Sequence, residues 1–178
     1  MSDTNSMRKL KIDKVVVNCG CGTDHIKLDK SLKLLESMTG TKPVKTKTEL
    51  RNATWGLRKG LPVGAKVTLR GDAARAMIVR LVDAKEKVLE LRNFDASGTI
   101  SFGISECIDI PGVEYDPQIG IIGLATTITL ERPGYRVKRR RYQKRSIPKA
   151  HSISKDEAIA FMHENFGVNL PVADEDEE

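Results

Sequence analysis

Several short runs of the chain alternate apolar and polar residues, the period of a strand that buries one face only. Val44, Thr46, Thr48 and Leu50 alternate with Lys45, Lys47, Glu49 and Arg51, and Ala65, Val67 and Leu69 alternate with Lys66, Thr68 and Arg70. The run Val15-Val16-Val17, the stretch Ile100, Phe102 and Ile104 with Ser101 and Gly103 between, and Ile128 and Leu130 flanked by Thr127, Thr129 and Glu131 bring the total to about five strands. Three other segments carry helical spacing. Leu28, Leu32, Leu35 and Met38 recur every three or four residues, with Gly40 as a C-terminal stop. Asp72 is a candidate N-cap for a helix through Met77, Leu81, Ala84 and Val88, with Ile78 and Val82 widening its apolar stripe. Ser154 and Glu157 make a capping box ahead of Ile159, Met162 and Phe166, and Gly167 follows.

Strands and helices do not alternate regularly, which favours an α+β fold over a doubly wound parallel sheet. The expected architecture has two layers, a mainly antiparallel sheet of about five strands with helices packed on one face. A chain of 178 residues forms one domain, 1–178, that buries a sizeable core without disulfides or metal. Helices on one face leave the other wet. By the alternation, that wet face shows Lys45, Lys47, Arg51, Lys66, Thr68 and Arg70, cations that reach phosphates beside a hydroxyl that bonds sugar or base edges. Thr46, by the same alternation, points to the opposite face.

Charge sharpens this picture. The formal net charge is +6, although the last five residues, 174–178, are all acidic, so the rest of the chain is more basic still. Residues 132–149 contain nine Lys/Arg, namely Arg132, Arg136, Lys138, Arg139, Arg140, Arg141, Lys144, Arg145 and Lys149, and no acid. Such density repels itself until a polyanion neutralises it, which points to phosphate rather than to a solvated tail. A long loop, Asn52 to Pro62, separates the second and third strands and exceeds the usual hairpin length. It holds Trp55, the only Trp of the chain, balanced between a core and an exposed role, and Arg58 and Lys59 are expected at its tip.

Enzymatic readings find little support. Cys19, Cys21 and His25 lie within seven residues, but a structural zinc needs four ligands, and a C-x-C pair on a strand turns both sulfurs to one face, where apolar packing explains them. Cys107 with His151 or His163 lacks an orienting partner. Asp109, Glu114 and Asp116 are scattered around Pro111 and Gly112 rather than clustered for metal-assisted phosphoryl chemistry. No metal or cofactor is expected. The N-terminus lacks a secretory signal pattern, three cysteines fit a reducing compartment, and no stretch is long and apolar enough for a membrane.

Five collinear segments, V-V-V-N-C-G-C-G (Val15 to Gly22), M-T-G-T-K-P-V-K-T-K (Met38 to Lys47), G-L-R-K-G-L-P-V-G-A-K-V-T-L-R-G (Gly56 to Gly71), L-R-N-F (Leu91 to Phe94) and G-T-I-S-F-G-I-S-E (Gly98 to Glu106), together resemble the large-subunit ribosomal protein five family. R-P-G-Y-R-V-K-R-R-R (Arg132 to Arg141) is similar to its archaeal and eukaryotic branch, and an archaeal source is expected. The resemblance implies a non-catalytic cytoplasmic protein of the central protuberance of the large subunit. Its partners would be 5S rRNA, large-subunit rRNA, P-site tRNA and a small-subunit ribosomal protein at an intersubunit bridge. Carried over by position, Asn18, Gly20, Thr41, Lys42, Lys45, Thr46, Lys47, Thr68 and Arg70 would meet 5S rRNA. Trp55, Gly56, Leu57, Arg58 and Lys59 would form the tRNA-facing loop, and Trp55 stands where the family often has Phe. Arg92 and Asn93, and Arg136, Lys138, Arg139, Arg140 and Arg141 of the basic segment, would touch other rRNA.

Overall fold

The computed structural model describes residues 5–170, and the acidic run 174–178 lies outside them. Five strands, β1 (Lys11–Gly20), β2 (Val44–Lys47), β3 (Pro62–Leu69), β4 (Thr99–Ile104) and β5 (Leu124–Glu131), form one sheet in the order β2-β3-β1-β5-β4. Every neighbouring pair is antiparallel. The helices are α1 (His25–Thr39), α2 (Gly71–Asp83), the short α3 (Arg136–Arg139) and α4 (Lys155–Phe166). α1 packs on β3 and β1, α2 packs on β1, and α4 packs against α2, so the long helices share one side of the sheet.

The buried side follows from the two periods. Val15, Val17 and Cys19 of β1, Ala65, Val67 and Leu69 of β3, and Ile128 and Leu130 of β5 face the helices and meet Leu28, Leu35, Met77, Ile78 and Leu81 in one core. Cys19 and Cys21 are both buried, and Cys21 Sγ lies 3.2 Å from Ser31 Oγ. Burial pushes the Cys19 thiol up to about 12, so it stays protonated and packs as a small apolar group.

Helix ends largely match their sequence signals. Ser154 and Glu157 complete the capping box of α4, and Gly40 and Gly167 end α1 and α4 in the left-handed region. The second helix departs from expectation. Arg70, not Asp72, is its N-cap, and it stops at Asp83 instead of reaching Val88. Glu86 and Lys87 turn the chain at positive φ, so that Leu89 rather than Val88 is buried, and the Leu89 N–H donates to the Asn169 carbonyl at 3.1 Å. The spacing of Ala84 and Val88 suits a longer helix, but the burial of Leu89 beside the C-terminal segment wins. β2 is also shorter than its alternation implies, since it ends at Lys47 and leaves Leu50 exposed.

One glycine fixes how closely β2 approaches. A Cβ on Gly64 would stand 2.6 Å from the Cys19 carbonyl oxygen and 2.9 Å from Thr46 Oγ1, closer than real side chains come. Its partners Thr46 on β2 and Gly20 on β1 complete a row that no larger residue at the centre would allow.

Candidate nucleic-acid interface

Residues paired directly across antiparallel strands share a face, so the register defines the side of the sheet away from the helices. One row runs Val44, Lys66, Asn18, Ala125 and Gly103, and the next runs Thr68, Val16, Thr127 and Ser101. Lys14, Thr129 and Thr99 follow, and Thr46, Gly64 and Gly20 lie on the other flank. The result is a face of hydroxyls, one amide, small residues and the valines Val16 and Val44, with Lys14 and Lys66 as its cations. Ser101 Oγ donates to Thr127 Oγ1 at 3.2 Å, which fixes both hydroxyls. Lys66 and Thr68 are exposed, while Asn18 is half-buried between its neighbours.

The register corrects the expected placement of two residues. Lys45 pairs with Ala65, which faces the core, so Lys45 lies on the helix side of the edge strand, where its Nζ is 3.5 Å from Asp29 of α1. Thr46 pairs with Gly64 and lies on the open face. The alternation in β2 is inverted relative to its hydropathy because an edge strand projects past the helix layer; Val44, which reads as a core position, is exposed on the open face. Lys47 and Arg51 are exposed, as are Thr41 and Lys42 in the turn before β2. The sequence alone does not place Lys14, Thr99, Ser101, Thr127 and Thr129 on this face. Their alternation is visible in it, but only the strand order puts them in line with Thr68 and Asn18.

The long loop is an ordered hairpin rather than a slack connection. Thr48 and Leu61 are joined by an N–H to carbonyl bond of 2.9 Å, and Asn52 and Leu57 exchange two bonds of 3.0 and 2.8 Å. Asn52 Oδ1 also accepts from the Thr54 N–H at 3.0 Å, an Asx turn that closes the end. Trp55 is therefore at the tip and 71% exposed, which settles the balance between core and surface. Arg58 and Lys59 are exposed but stand on the returning limb, where the Arg58 carbonyl accepts from Leu61 N–H, and not at the tip as expected.

The basic segment is folded, and its cations are not equivalent. Arg132 is buried and donates to Glu157 Oε1 at 2.6 Å, so it serves the core side of α4 and is no part of a phosphate surface. Arg139 reaches Asp13 at 3.1 and 3.2 Å and is also paired with Glu131. Arg70, at the end of β3, donates to the same Asp13 carboxylate at 2.7 Å. Arg140 donates twice to the Gln143 carbonyl at 3.0 and 2.8 Å, and the Arg141 guanidinium lies 5.4 Å from the centre of the Tyr142 ring. His151 Nε2 is 2.9 Å from the Pro133 carbonyl, which closes the base of the segment. Arg136, Lys138, Arg141, Lys144, Arg145 and Lys149 remain exposed. The acids that pair with Arg139, Asp13 and Glu131, lie outside 132–149, so the charge run itself does not reveal them.

Elsewhere, Arg92 is exposed on a single 3-10 turn and pairs with Glu90, with half-buried Asn93 beside it. Among the described residues no helix is long and apolar enough to cross a membrane.

Comparison with known families matches residues 5–58 to the family described as ribosomal protein L5 and residues 62–161 to the C-terminus of the same ribosomal family. The large ribosomal subunit protein uL5 of Sulfolobus acidocaldarius is 46% identical over 166 residues, covering 93% of each chain. That of Nanoarchaeum equitans is 46% identical over 165 residues, 92% of this chain and 97% of its own. That of Nitrosopumilus maritimus is 42% identical over 172 residues, 96% of this chain and 99% of its own.

Proposed function

The chain belongs to the ribosomal L5 family of large-subunit proteins, archaeal type, and on that premise we propose that it docks 5S rRNA on the helix-free face of its sheet. The observation that carries this reading is the set of rows holding Asn18, Thr46 and Thr68 with Lys66 beside them. Hydroxyls and an amide held by a sheet are suited to the ribose hydroxyls and base edges of a shallow RNA groove, while a few lysines meet its phosphates. Gly20, Thr41, Lys42 and Lys47 border that face, and Lys45 and Arg70 stand at its margins with their charges shared by Asp29 and Asp13. The exposed cations of the basic segment, with Arg92 and Asn93, meet neighbouring large-subunit rRNA. The projecting hairpin, with Trp55 and Gly56 at its tip and Leu57, Arg58 and Lys59 on its returning limb, reaches P-site tRNA. The protein also takes part in a bridge to the small subunit. Its role is structural, not catalytic.

Binding of purified protein to 5S rRNA tests the central claim. Replacing Thr46 and Thr68 together by Val removes two hydroxyls, keeps shape and charge, and weakens 5S binding by about 2 kcal/mol, or about thirtyfold. The salt dependence stays unchanged because no phosphate contact is lost. Equal affinity of the double variant in filter binding, or cleavage of the RNA by pure protein, contradicts this reading.

A further inference from the structure

Two carboxylates stand where an RNA-binding surface has least use for them. Asp13 occupies the bulge in β1 between Ile12 and Lys14, and such irregularities re-aim a side chain. Its side chain is only 5% exposed, yet it receives Arg70 at 2.7 Å from the end of β3 and Arg139 at 3.1 Å from α3. Glu131, at the end of β5 and 11% exposed, receives Arg139 as well, and Lys11 at 3.1 Å. Three segments far apart in sequence thus converge on two nearly buried acids. Without those acids, Arg70, Arg139 and Lys11 would repel one another, and among the described residues no backbone hydrogen bond ties α3 to the strands.

We propose that Asp13 and Glu131 are positioning residues that clamp Arg139, and through it α3 and the turn that follows it, against the end of the sheet, so that the exposed cations there and the open face meet RNA as one preformed surface. The inference rests on the reading that the segment binds rRNA. Arg139 thereby differs in role from its neighbours. Arg136, Lys138 and Arg141 are exposed and pair with no acid among the described residues, whereas Arg139, its side chain half exposed, is held by Asp13 and Glu131. Preorganisation is the gain, since an arm already in place does not lose its conformational freedom when RNA arrives. Because both acids are nearly buried, their own repulsion of RNA is small beside what they arrange.

The clamp predicts an effect opposite to simple electrostatics. Asp13→Asn and Glu131→Gln each make the protein more basic by one charge, which by counterion release alone tightens RNA binding. The expected result instead is an affinity for deproteinised large-subunit rRNA that falls about tenfold, a slope of log affinity against log salt that flattens by about one unit, and faster trypsin cleavage within 138–145 in the free protein. Asp13→Glu, which keeps the charge, restores part of the affinity. If Asp13→Asn melts out at working temperature, Glu131→Gln carries the same expectation from the less buried acid. Unchanged or tighter binding with a wild-type trypsin pattern overturns the clamp. Arg136, Lys138 and Arg141 changed together to Gln separate the two levels. If that triple variant binds rRNA as the wild type does, the RNA role of the segment fails and the clamp's function with it; if it binds weakly while the acid variants bind normally, only the clamp fails.

Discussion

Across the open sheet face, Asn18, Thr68 and Thr127 are held by ladder hydrogen bonds and by neighbours on the same rows, and the face carries few charges. In the basic segment the backbone makes one short helix, and side chains such as Arg132, Arg139 and His151 do the holding while other cations project outward. The first region offers fixed shape and hydrogen-bonding groups. The second offers charge that a handful of ion pairs has set in place. Shape and hydroxyls discriminate among RNAs but respond little to salt, whereas phosphate neutralisation is strong, indifferent to sequence and steeply dependent on salt. On the proposed reading, the division would let one small domain use both terms without asking any residue to supply both.

The contrast is sharpest in a salt titration of binding to rRNA. Changing Arg136, Lys138 and Arg141 to Gln removes exposed cations without touching the sheet or the Asp13 clamp. The slope of log affinity against log salt is expected to flatten by roughly two to three units, with an affinity loss on the order of a hundredfold at about 0.2 M salt. An unchanged slope makes the segment a solvated surface and dissolves the contrast.

How much of this could be read from the chain differs between the two regions. Helix α4 is legible down to its capping residues, because Ser154 and Glu157 act on each other three residues apart. The five strands are legible from their period, and the two sulfurs of Cys19 and Cys21 fall on the buried side as that period requires. The face of β2 is not legible, because which side of an edge strand is covered depends on where α1 crosses it, and neither Lys45 nor Val44 records that. The basic segment is legible as charge but not as structure. Its ties run from Arg139 to Asp13 and from Arg132 to Glu157, separations of many residues that no local pattern encodes. Sequence period reports on neighbours along one element, and these contacts are settled only by strand order.

The opposite arm of the comparison can be stressed at Gly64. Gly64→Val forces a side chain against the Cys19 carbonyl and Thr46 Oγ1, so β2 or β1 must move. A stability loss of about 1–3 kcal/mol in thermal or urea unfolding is expected, as for other overpacked sites. Binding to 5S rRNA at a temperature where the variant stays folded weakens, while the salt slope keeps its wild-type value, because the hydroxyl rows shift and the cations do not. A flattened slope in this variant means that the face acts through charge after all.

The smallest effect is expected from the hairpin, which shares neither design. Arg58 and Lys59 stand past the Asn52–Leu57 bridge, on a limb whose hydrogen bonds run to Thr48 and Leu61 rather than to the open rows. Arg58→Ala with Lys59→Ala therefore leaves affinity for isolated 5S rRNA close to wild type. In assembled ribosomes the same change removes two exposed cations from the side proposed to face tRNA. Each exposed charge contact is worth at most about 1 kcal/mol, and tRNA keeps its other anchors, so a rise of a fewfold in P-site tRNA dissociation rate is the expected size. The hairpin itself stays folded, since neither side chain supports the Asx turn or the cross-chain bonds that build it. A double variant that loses 5S rRNA in a two-component assay while ribosome-bound tRNA is unaffected assigns the limb to the 5S surface. The hairpin would then extend the sheet face, and the molecule would have two RNA-facing regions instead of three.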